Sequence, residues 1–367
     1  MSARPTSFEF PNFFVRALSE LTIEALQEHF VAWGVKPSHA APVLRAYYRS
    51  GGGLSRQTGI LFPQGLLDRV ERELPLSGSS LLVRQVSEDG TTKLLRQLHD
   101  KRTVECVLMP DFRGGRAAGC ISSQVGCAMG CDFCATTQTG FERNLTSGEI
   151  VEQFLTLRSE ALATGRRLQT LVFMGMGEPM LNLDAVLAAV RRIGANELGS
   201  LGWRQITIST VGIVPGIQTL ANAGLGVQLA VSLHAPDDAT RADLLPMGRR
   251  FKVDEILAAA DSYQAVTGRP VIVQYCLLQG VNDSLQQAAL LAQLLAKRRM
   301  HVNVLSYNAT GLSLMGRSYK PSSHEVAELF VDTLRSHGVV THLRRARGPD
   351  IDAACGQLRR REAEPTS

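Results

Sequence analysis

A chain of 367 residues is long enough for one large core with a smaller accessory domain, and 44% of its residues are hydrophobic, as in ordinary globular proteins. A net charge of +5 permits an anionic partner without requiring one, and 6% aromatic residues are too few for a base-stacking platform. No apolar run is long enough to cross a membrane, and the N-terminus lacks the layout of a secretory signal. The odd number of cysteines, 7, with three of them clustered, is typical of a reducing compartment, so we expect a cytoplasmic protein.

The first part of the chain predicts a helical accessory domain over residues 1–77. Helix patterns occur at 19–33, 37–48 and 66–74, and a Pro/Gly/Ser-containing boundary follows the last of them. The leader, residues 1–16, carries four phenylalanines and is expected to dock on the protein rather than to be disordered.

Residues 78–116 predict a β-hairpin extension. Alternating residues at 82–86 and 93–98 flank a turn at Asp89 and Gly90, and a third strand follows at 104–109. Glu105 is unusual because it lies in mid-strand among apolar neighbours. The pattern leaves open whether Glu105 is a solvent-facing strand residue or a functional carboxylate.

From residue 117 onward strands alternate with helices, which predicts an α/β fold with parallel strands covered by helices. The units are too few for a closed eight-stranded barrel, so we expect a partial (β/α)6 TIM-like barrel over residues 117–345. The C-terminal segment, 346–367, ends in a frayed polar tail from Arg359. The predicted strands are 117–122, 170–175, 205–209, 227–233, 271–278, 301–305 and 339–343, and the predicted helices are 147–163, 182–193, 212–223, 253–266, 284–298 and 322–337.

Three cysteines, Cys127, Cys131 and Cys134, lie within eight residues in a loop rich in small residues. Thiolates this close are charged and oxidise readily unless a metal binds them. A zinc site would need a fourth nearby Cys or His, and none follows, whereas three thiolates suit a cluster of four irons and four sulfides with one open iron. An open iron can chelate an amine and a carboxylate, as S-adenosylmethionine offers. The alternative is three ordinary loop cysteines.

Polar residues follow several predicted strands at their carboxyl ends, where βα proteins place reactive groups. Each of them alone is weak, because Ser and Asn commonly cap the next helix. Together they outline one ligand site beside the cysteine loop, in which a carboxylate can pair with an amino group. The residues are Gly177, Glu178, Ser209, Ser232, Leu233, His234 and Asn308.

Two further cysteines require a role. Cys120 lies on the first barrel strand, and Cys355 lies past the last strand on a segment that we expect to be flexible and accessible, which suits a mobile nucleophile. Cys106 and Cys276 lie inside apolar strands, where a small hydrophobic role is expected.

These features together resemble the RlmN/Cfr-type radical S-adenosylmethionine RNA methyltransferases, which methylate an adenosine of bacterial RNA. The resemblance covers residues 105–358, apart from a proline-rich loop after Asn308 that this chain lacks. It rests on five segments, 122–134, 140–145, 173–179, 232–235 and 350–358.

The resemblance implies a role for each set of residues. The three loop cysteines would hold a 4Fe–4S cluster, and the polar residues at the strand ends would hold S-adenosylmethionine, of which two are used per turnover. Cys355 would carry a methyl group taken from one S-adenosylmethionine, and a radical generated from the second would activate that methyl for addition to adenine. Glu105 would remove the ring proton, and Cys120 would release the product by forming a transient disulfide bond with Cys355.

We therefore expect an enzyme that methylates carbon-2 of an adenosine in 23S ribosomal RNA, and transfer RNA as a further substrate. Carbon-8 methylation, which would confer antibiotic resistance, and methylation of another RNA remain open. A non-catalytic iron–sulfur RNA-binding or sensor protein is the alternative from another class, although such a protein needs no carrier thiol.

The expected partners are RNA and an electron donor such as flavodoxin or ferredoxin, without a membrane and with the enzyme as a monomer. Arg344, Arg345 and Arg347 are candidate phosphate contacts because they precede the Cys355 segment. For the basic run 297–299, a solvated helix end explains the charges equally well.

Overall fold

The structure is a computed structural model that describes residues 16–54, 61–111, 114–198 and 201–358. The expectations for the leader, apart from residue 16, and for the tail from Arg359 lie outside the described residues. Within these described ranges, no helix combines the length and apolarity needed to cross a membrane.

Within the described ranges 16–54 and 61–77, three α-helices form the N-terminal part, α1 (Ile23–Ala32), α2 (Ala40–Arg49) and α3 (Leu66–Glu73). Helix α1 begins where the Thr22 hydroxyl accepts a hydrogen bond from the amide of Ala25 (3.2 Å), a typical N-cap. Their buried faces belong to the same hydrophobic core as the rest of the protein. The predicted domain boundaries after residues 77, 116 and 345 stay predictions.

Twelve strands follow in the residues that the structure describes, and most form a single sheet. They are β1 (Ser80–Val86), β2 (Thr92–Gln97), β3 (Thr103–Pro110), β4 (Arg116–Cys120), β5 (Gln124–Gly126), β6 (Phe141–Asn144), β7 (Arg167–Phe173), β8 (Ile206–Thr210), β9 (Gln228–Ser232), β10 (Val271–Leu277), β11 (Met300–Ser306) and β12 (Thr341–Arg344). The sheet order is β1-β2-β3-β4-β7-β8-β9-β10-β11-β12, while β5 and β6 form a separate pair.

The remaining helices lie between these strands. They are α4 (Ala135–Gln138), α5 (Ser147–Ala163), α6 (Leu183–Ile193), α7 (Val214–Asn222), α8 (Asp238–Leu244), α9 (Val253–Thr267), α10 (Leu285–Leu295) and α11 (His324–Ser336). The start of α5 agrees with the prediction because Thr146 and Glu149 form a reciprocal capping box, each side chain accepting from the other's amide (3.1 and 2.8 Å).

The predicted α/β fold is confirmed. From β4 to β12 every neighbouring pair in the main sheet is parallel, whereas β1, β2 and β3 extend the same sheet with antiparallel pairing. The sequence did not predict α4, α8 or the β5–β6 pair, which are too short to show a clear period. Because the strands are parallel, their carboxyl ends meet at one edge, and that edge holds the site.

Candidate active site

Glu105 and Cys120 lie on adjoining strands and face the same side of the sheet. Val107 of β3 is paired with Cys120 of β4, and two residues away the Ser122 hydroxyl donates to the carbonyl of Glu105 (2.7 Å). Residues two apart on a strand share a face, so Glu105 and Cys120 are diagonal neighbours across the strand pair. Both side chains are buried, which excludes the solvent-facing alternative for Glu105.

Lys93 of β2 is the ionic partner of Glu105. Its ammonium nitrogen lies 3.6 Å from a carboxylate oxygen of Glu105, and the Lys93 and Glu105 side chains are only 8% and 1% exposed. A buried carboxylate is costly unless it is paired, and the nearby cation stabilises its charged form. The sequence did not reveal this pair, because a lysine in an alternating strand looks like an ordinary solvent-facing residue.

The segment that carries Cys355 lies against both the β1–β2 turn and the cysteine loop. Ser87 donates to the Asp350 carboxylate (2.5 Å), and the amide of Ala135 donates to the carbonyl of Gly356 (2.7 Å). The Cys355 thiol between these anchors is exposed, as expected. Desolvation, followed by the charge of Cys134, raises the pKa of the Cys355 thiol.

Cys120 and Cys355 are near enough to interact electrostatically. Burial raises the pKa of the Cys120 thiol, and the second cause of that shift is the charge of Cys355. Both thiols are free in the structure. Burial, followed by the charges of Cys355 and Cys134, raises the pKa of Cys276.

The three-cysteine loop is buried beneath this segment. Cys127, Cys131 and Cys134 are free thiols, and desolvation followed by the charges of Cys134 and Cys127 raises the pKa of Cys131 well above its usual value. Thiolates held this close are unfavourable unless a cationic centre compensates them.

The donor set suits an iron–sulfur cluster. Its three thiolates can each bind a different iron of a cubane, which leaves the fourth iron open. Gly126 has a φ of 75°, and a Cβ there would lie 1.8 Å from the carbonyl oxygen of Gly140, so the loop can turn only at a glycine.

Glu178 connects two neighbouring strand ends. Its carboxylate accepts hydrogen bonds from the amides of Met180 (3.0 Å) and Val211 (2.8 Å), which follow β7 and β8. Burial raises the pKa of Glu178 to about 7, against the lowering effect of these hydrogen bonds. Its remaining acceptor capacity suits a donor such as an amino group.

The other predicted residues line the same edge in different ways. The hydroxyl oxygens of Ser209 and Ser232 are 3.4 Å apart, and Asn308 is half-buried after β11. Leu233 is fully buried, which leaves only its backbone to face a ligand. Gly177 has a φ of 95°, and a Cβ at this position would lie 2.5 Å from the Cβ of Gln124. A glycine is therefore needed here for packing against Gln124.

His234 joins β9 to the cysteine loop. Its Nδ1 accepts from the amide of Cys276 (3.0 Å), and its ring packs edge-on against Phe133 with centroids 5.0 Å apart. Burial, with the charge of Arg241, lowers the pKa of His234 to about 3, so the ring is neutral with its proton on Nε2. Its φ of 59° is rare for a non-glycine residue and marks a backbone held under strain.

Asp132 and Arg241 are residues of this site that the sequence reasoning missed. Asp132 lies between two of the cysteines and accepts from the amide of Met315 (2.9 Å) and the hydroxyl of Tyr319 (2.7 Å). Arg241 of α8 is fully buried and donates to the carbonyls of Val211 and Phe251. The position of Asp132 between two loop cysteines could have marked it as a site residue. Arg241 could not be found in this way, because in the sequence it looks like an ordinary surface arginine of a helix.

Comparison with known proteins agrees with this geometry. The sequence model of the radical SAM superfamily matches residues 121–292. "Probable dual-specificity RNA methyltransferase RlmN 1" of Opitutus terrae is 64% identical over 348 residues, which cover 95% of this chain and 98% of that protein. This chain belongs to the RlmN family of radical S-adenosylmethionine RNA methyltransferases. The family and enzyme class predicted from the sequence are therefore confirmed, and with them a 4Fe–4S cluster and S-adenosylmethionine as cofactors.

Two further relatives of the family extend the comparison. "Probable dual-specificity RNA methyltransferase RlmN" of Frankia casuarinae is 44% identical, and the match covers 95% of this chain and 83% of that protein. The crystal structure of a radical SAM methyltransferase from Sphaerobacter thermophilus superposes with a TM-score of 0.86 at 39% identity, covering 94% of this chain and 100% of that one. The fold therefore extends over the N-terminal helices as well as the barrel.

Proposed function

We propose that this enzyme methylates carbon-2 of an adenosine in 23S ribosomal RNA and, as a second substrate, in transfer RNA. The observation that carries the proposal is the meeting of Cys355, Cys120 and Glu105 beside the three-cysteine loop. A ring carbon such as adenine carbon-2 is not nucleophilic, so ordinary methyl transfer cannot reach it and a cofactor has to supply a radical.

The residues of the chain would hold and release the methyl group. When bound, the cluster with S-adenosylmethionine supplies a 5′-deoxyadenosyl radical. Cys355 carries the methyl as a thioether beside the base, which makes addition to the ring an intramolecular step. Loss of one hydrogen atom from this methyl to the radical would let its carbon add to adenine, which leaves an unpaired electron on the ring; that electron would pass to the oxidised cluster while Glu105 takes the ring proton. The Cys120 thiolate then attacks the Cys355 sulfur, and the carbon–sulfur bond breaks with its electron pair going to the methylene carbon, which takes a proton from water to become the methyl group. The disulfide between Cys120 and Cys355 that remains is reduced by the electron donor before the next turnover.

We propose that the two cofactors are held by the residues that the sequence predicted for them. Cys127, Cys131 and Cys134 hold the cluster, two S-adenosylmethionine molecules are used per turnover, and the polar strand ends hold this cofactor. The residues of that rim are Gly177, Glu178, Ser209, Ser232, Leu233, His234 and Asn308.

The RNA substrates, the electron donor and the oligomeric state are also part of the proposal. The relatives carry the RlmN name and are called dual-specificity, which favours carbon-2 over carbon-8 and transfer RNA as the second substrate. The N-terminal domain, 1–77, binds RNA, a flavodoxin or ferredoxin supplies electrons, and the enzyme works as a cytoplasmic monomer.

Mass spectrometry of RNA from a deletion strain tests the proposal. Loss of one 2-methyladenosine from 23S ribosomal RNA, restored by the wild-type gene but not by a Cys355→Ala gene, is the expected result. Loss of 8-methyladenosine instead would favour the carbon-8 alternative, and unchanged ribosomal and transfer RNA would contradict the proposed substrates.

Glu178 should make the affinity for S-adenosylmethionine depend on pH. Because burial raises its pKa to about 7, the carboxyl gains a proton as the pH falls through 7 and loses its ability to accept from the amino group at both oxygens. A hydrogen bond to a charged group contributes about 1.5–3 kcal/mol, so Glu178→Gln should weaken binding at least roughly tenfold at pH 8. The difference should shrink at pH 6.

Calorimetric titration at each pH measures this effect, and the ratio of wild-type to Glu178→Gln affinity cancels titration of the ligand itself. Glu71→Gln, an exposed carboxyl on α3, is the matched control. A ratio that does not change with pH would mean that the amino group binds elsewhere.

Arg344 and Arg345 should contact RNA phosphates. Both are exposed at the end of β12, and the charge of Arg344 reaches Cys355. Arg347 instead faces Asp89 (3.9 Å), and Arg298 of the other basic run pairs with Asp261. That second run precedes β11 and therefore lies at the opposite edge of the sheet from the site.

Replacing Arg344 and Arg345 by glutamate should weaken RNA binding and reduce the slope of log affinity against log salt by about 2, since each phosphate contact contributes slightly less than one. Binding measured by filter retention over a range of salt concentrations gives this slope. The same change at Lys297 and Arg299 should leave it nearly unaltered. Equal slopes for wild type and the Arg344/Arg345 variant would remove these arginines from the RNA path.

A further inference from the structure

A tight turn after β11 presents apolar side chains to solvent. Leu312 and Ser318 form an antiparallel bridge. Two hydrogen bonds to Ser313 close the turn between them: the amide of Arg317 donates to the Ser313 hydroxyl (2.9 Å), and the amide of Gly316 donates to the Ser313 carbonyl (3.0 Å). Leu314 and Met315 occupy the corner of this turn. We call residues 312–318 the apolar turn.

The tip of the apolar turn is unusually exposed for its composition. Leu312, Leu314 and Met315 are 68%, 53% and 50% exposed. Single exposed apolar residues are ordinary, but three within four positions of one turn place exposed apolar surface close together, which is typical of a contact surface.

The apolar turn is held rigidly and is continuous with the site. Asp132 of the cysteine loop accepts from the amide of Met315 (2.9 Å), and Gln138 of α4 donates to the carbonyl of Leu312 (2.8 Å). The Gln357 side chain, two residues beyond Cys355, donates to the carbonyl of Ala309 (3.2 Å). The turn is therefore bonded to the cysteine loop, and the segment just before it is bonded to the residue two positions beyond Cys355.

The surroundings of the turn favour a polyanion over an acidic protein surface or a membrane interior. Residues 309–321 contain Arg317 and Lys320 and no acidic residue. The Asp243 carboxylate of α8 accepts a hydrogen bond from the guanidinium of Arg317 (2.8 Å at one oxygen). The charge of Arg249 also helps to lower the pKa of Asp243, so two cations lie near one carboxylate. The patch is apolar at its tip, and Lys320 and Arg249 add positive charge near its base beyond the Arg317–Asp243 pair, a combination that suits nucleobases attached to phosphates.

We propose that Leu314 and Met315 form a fixed apolar wedge, which packs against the base stack of the RNA substrate and keeps the target adenosine out of that stack. The proposal rests on the proposed function, because an adenine ring must leave its stack before Cys355 can reach its edge. Anchoring by Asp132 and Gln138 lets the wedge act without being ordered on binding.

Fluorescence of 2-aminopurine tests the wedge. The probe replaces the neighbour of the target adenosine in an RNA hairpin, and anaerobic holoenzyme without reductant is added, so that binding occurs without chemistry. Wild type should raise the fluorescence severalfold. The pair Leu314→Ala and Met315→Ala should lose most of that rise and bind the hairpin about tenfold more weakly.

Three controls make the result specific. The exchange Leu314→Met with Met315→Leu keeps the apolar volume and should restore the rise, and Leu329→Ala, an exposed leucine on α11, should behave as wild type. The alanine pair should bind normally to a hairpin whose target lies beside an abasic site, because no stack has to be opened there.

An unchanged fluorescence rise in the alanine pair would overturn the wedge. The wedge would also be overturned if the alanine pair bound RNA and raised the fluorescence as wild type does, but was reduced more slowly than wild type by flavodoxin and equally fast by dithionite. The patch would then be the docking site of the electron donor. If wild type itself neither binds nor methylates adenosine-containing RNA, the proposed function has failed, and this outcome is recognisable without any variant.

Discussion

Replacing Cys120 by alanine should leave the enzyme covalently attached to its RNA. Cys120 is buried at the end of β4, next to the charge of Cys355, so in our scheme it is the thiol that breaks the link between Cys355 and the methylated base. Without Cys120 the methyl can still be loaded on Cys355 and added to adenine, but no thiolate attacks the Cys355 sulfur to break the carbon–sulfur bond. The variant should make no more than one addition per chain.

Denaturing electrophoresis and mass spectrometry after nuclease digestion detect the adduct, as a nucleotide-sized increment on the peptide that contains Cys355. Cys355→Ala should carry neither methyl nor RNA, and Glu105→Gln should trap the same adduct as Cys120→Ala because the ring proton stays in place. Cys106→Ala, a buried thiol on the neighbouring strand, is the matched control and should turn over normally. Normal turnover by Cys120→Ala without bound RNA would refute the two-thiol scheme.

Cys131→Ala should abolish the iron–sulfur cluster and every activity that depends on it. Desolvation, followed by the charges of Cys134 and Cys127, raises the pKa of the Cys131 thiol well above its usual value, so an uncompensated thiolate is unfavourable there. A cubane held by only two thiolates has two irons without protein ligands. Iron content should therefore fall from about four per chain to less than one after anaerobic reconstitution.

Iron and sulfide assays with electronic spectra measure the loss, and reductive cleavage of S-adenosylmethionine should fall below detection together with RNA methylation. Cys276→Ala removes a thiol of similar burial near the same place and should retain four irons. A Cys131→Ala protein that binds zinc and keeps methylating RNA would show that the loop is not a cluster site.

Local patterns in the sequence were enough to predict most elements of the barrel. Strands β8 to β12 agree with their predicted ranges to within two residues at each end, because buried parallel strands are nearly continuous apolar runs between helices of clear period. The exposure of the carrier thiol also followed from small neighbouring residues and Gly356. In contrast, β5 and β6 span no more than two strand periods and α8 spans less than two helical turns, so no periodicity could reveal them.

The sequence by itself determined the family and supplied the candidate site residues, including the three loop cysteines, since these depend on residue type and spacing along the chain. Only the tertiary structure decided which of them meet. The antiparallel register of β3 against β4 places Glu105 beside Cys120, and Lys93 becomes its partner only because β2 pairs on the other side. Likewise, Asp132 reaches Met315 across 183 positions of the chain. Such contacts arise from packing between distant segments, for which a single sequence carries no local signal.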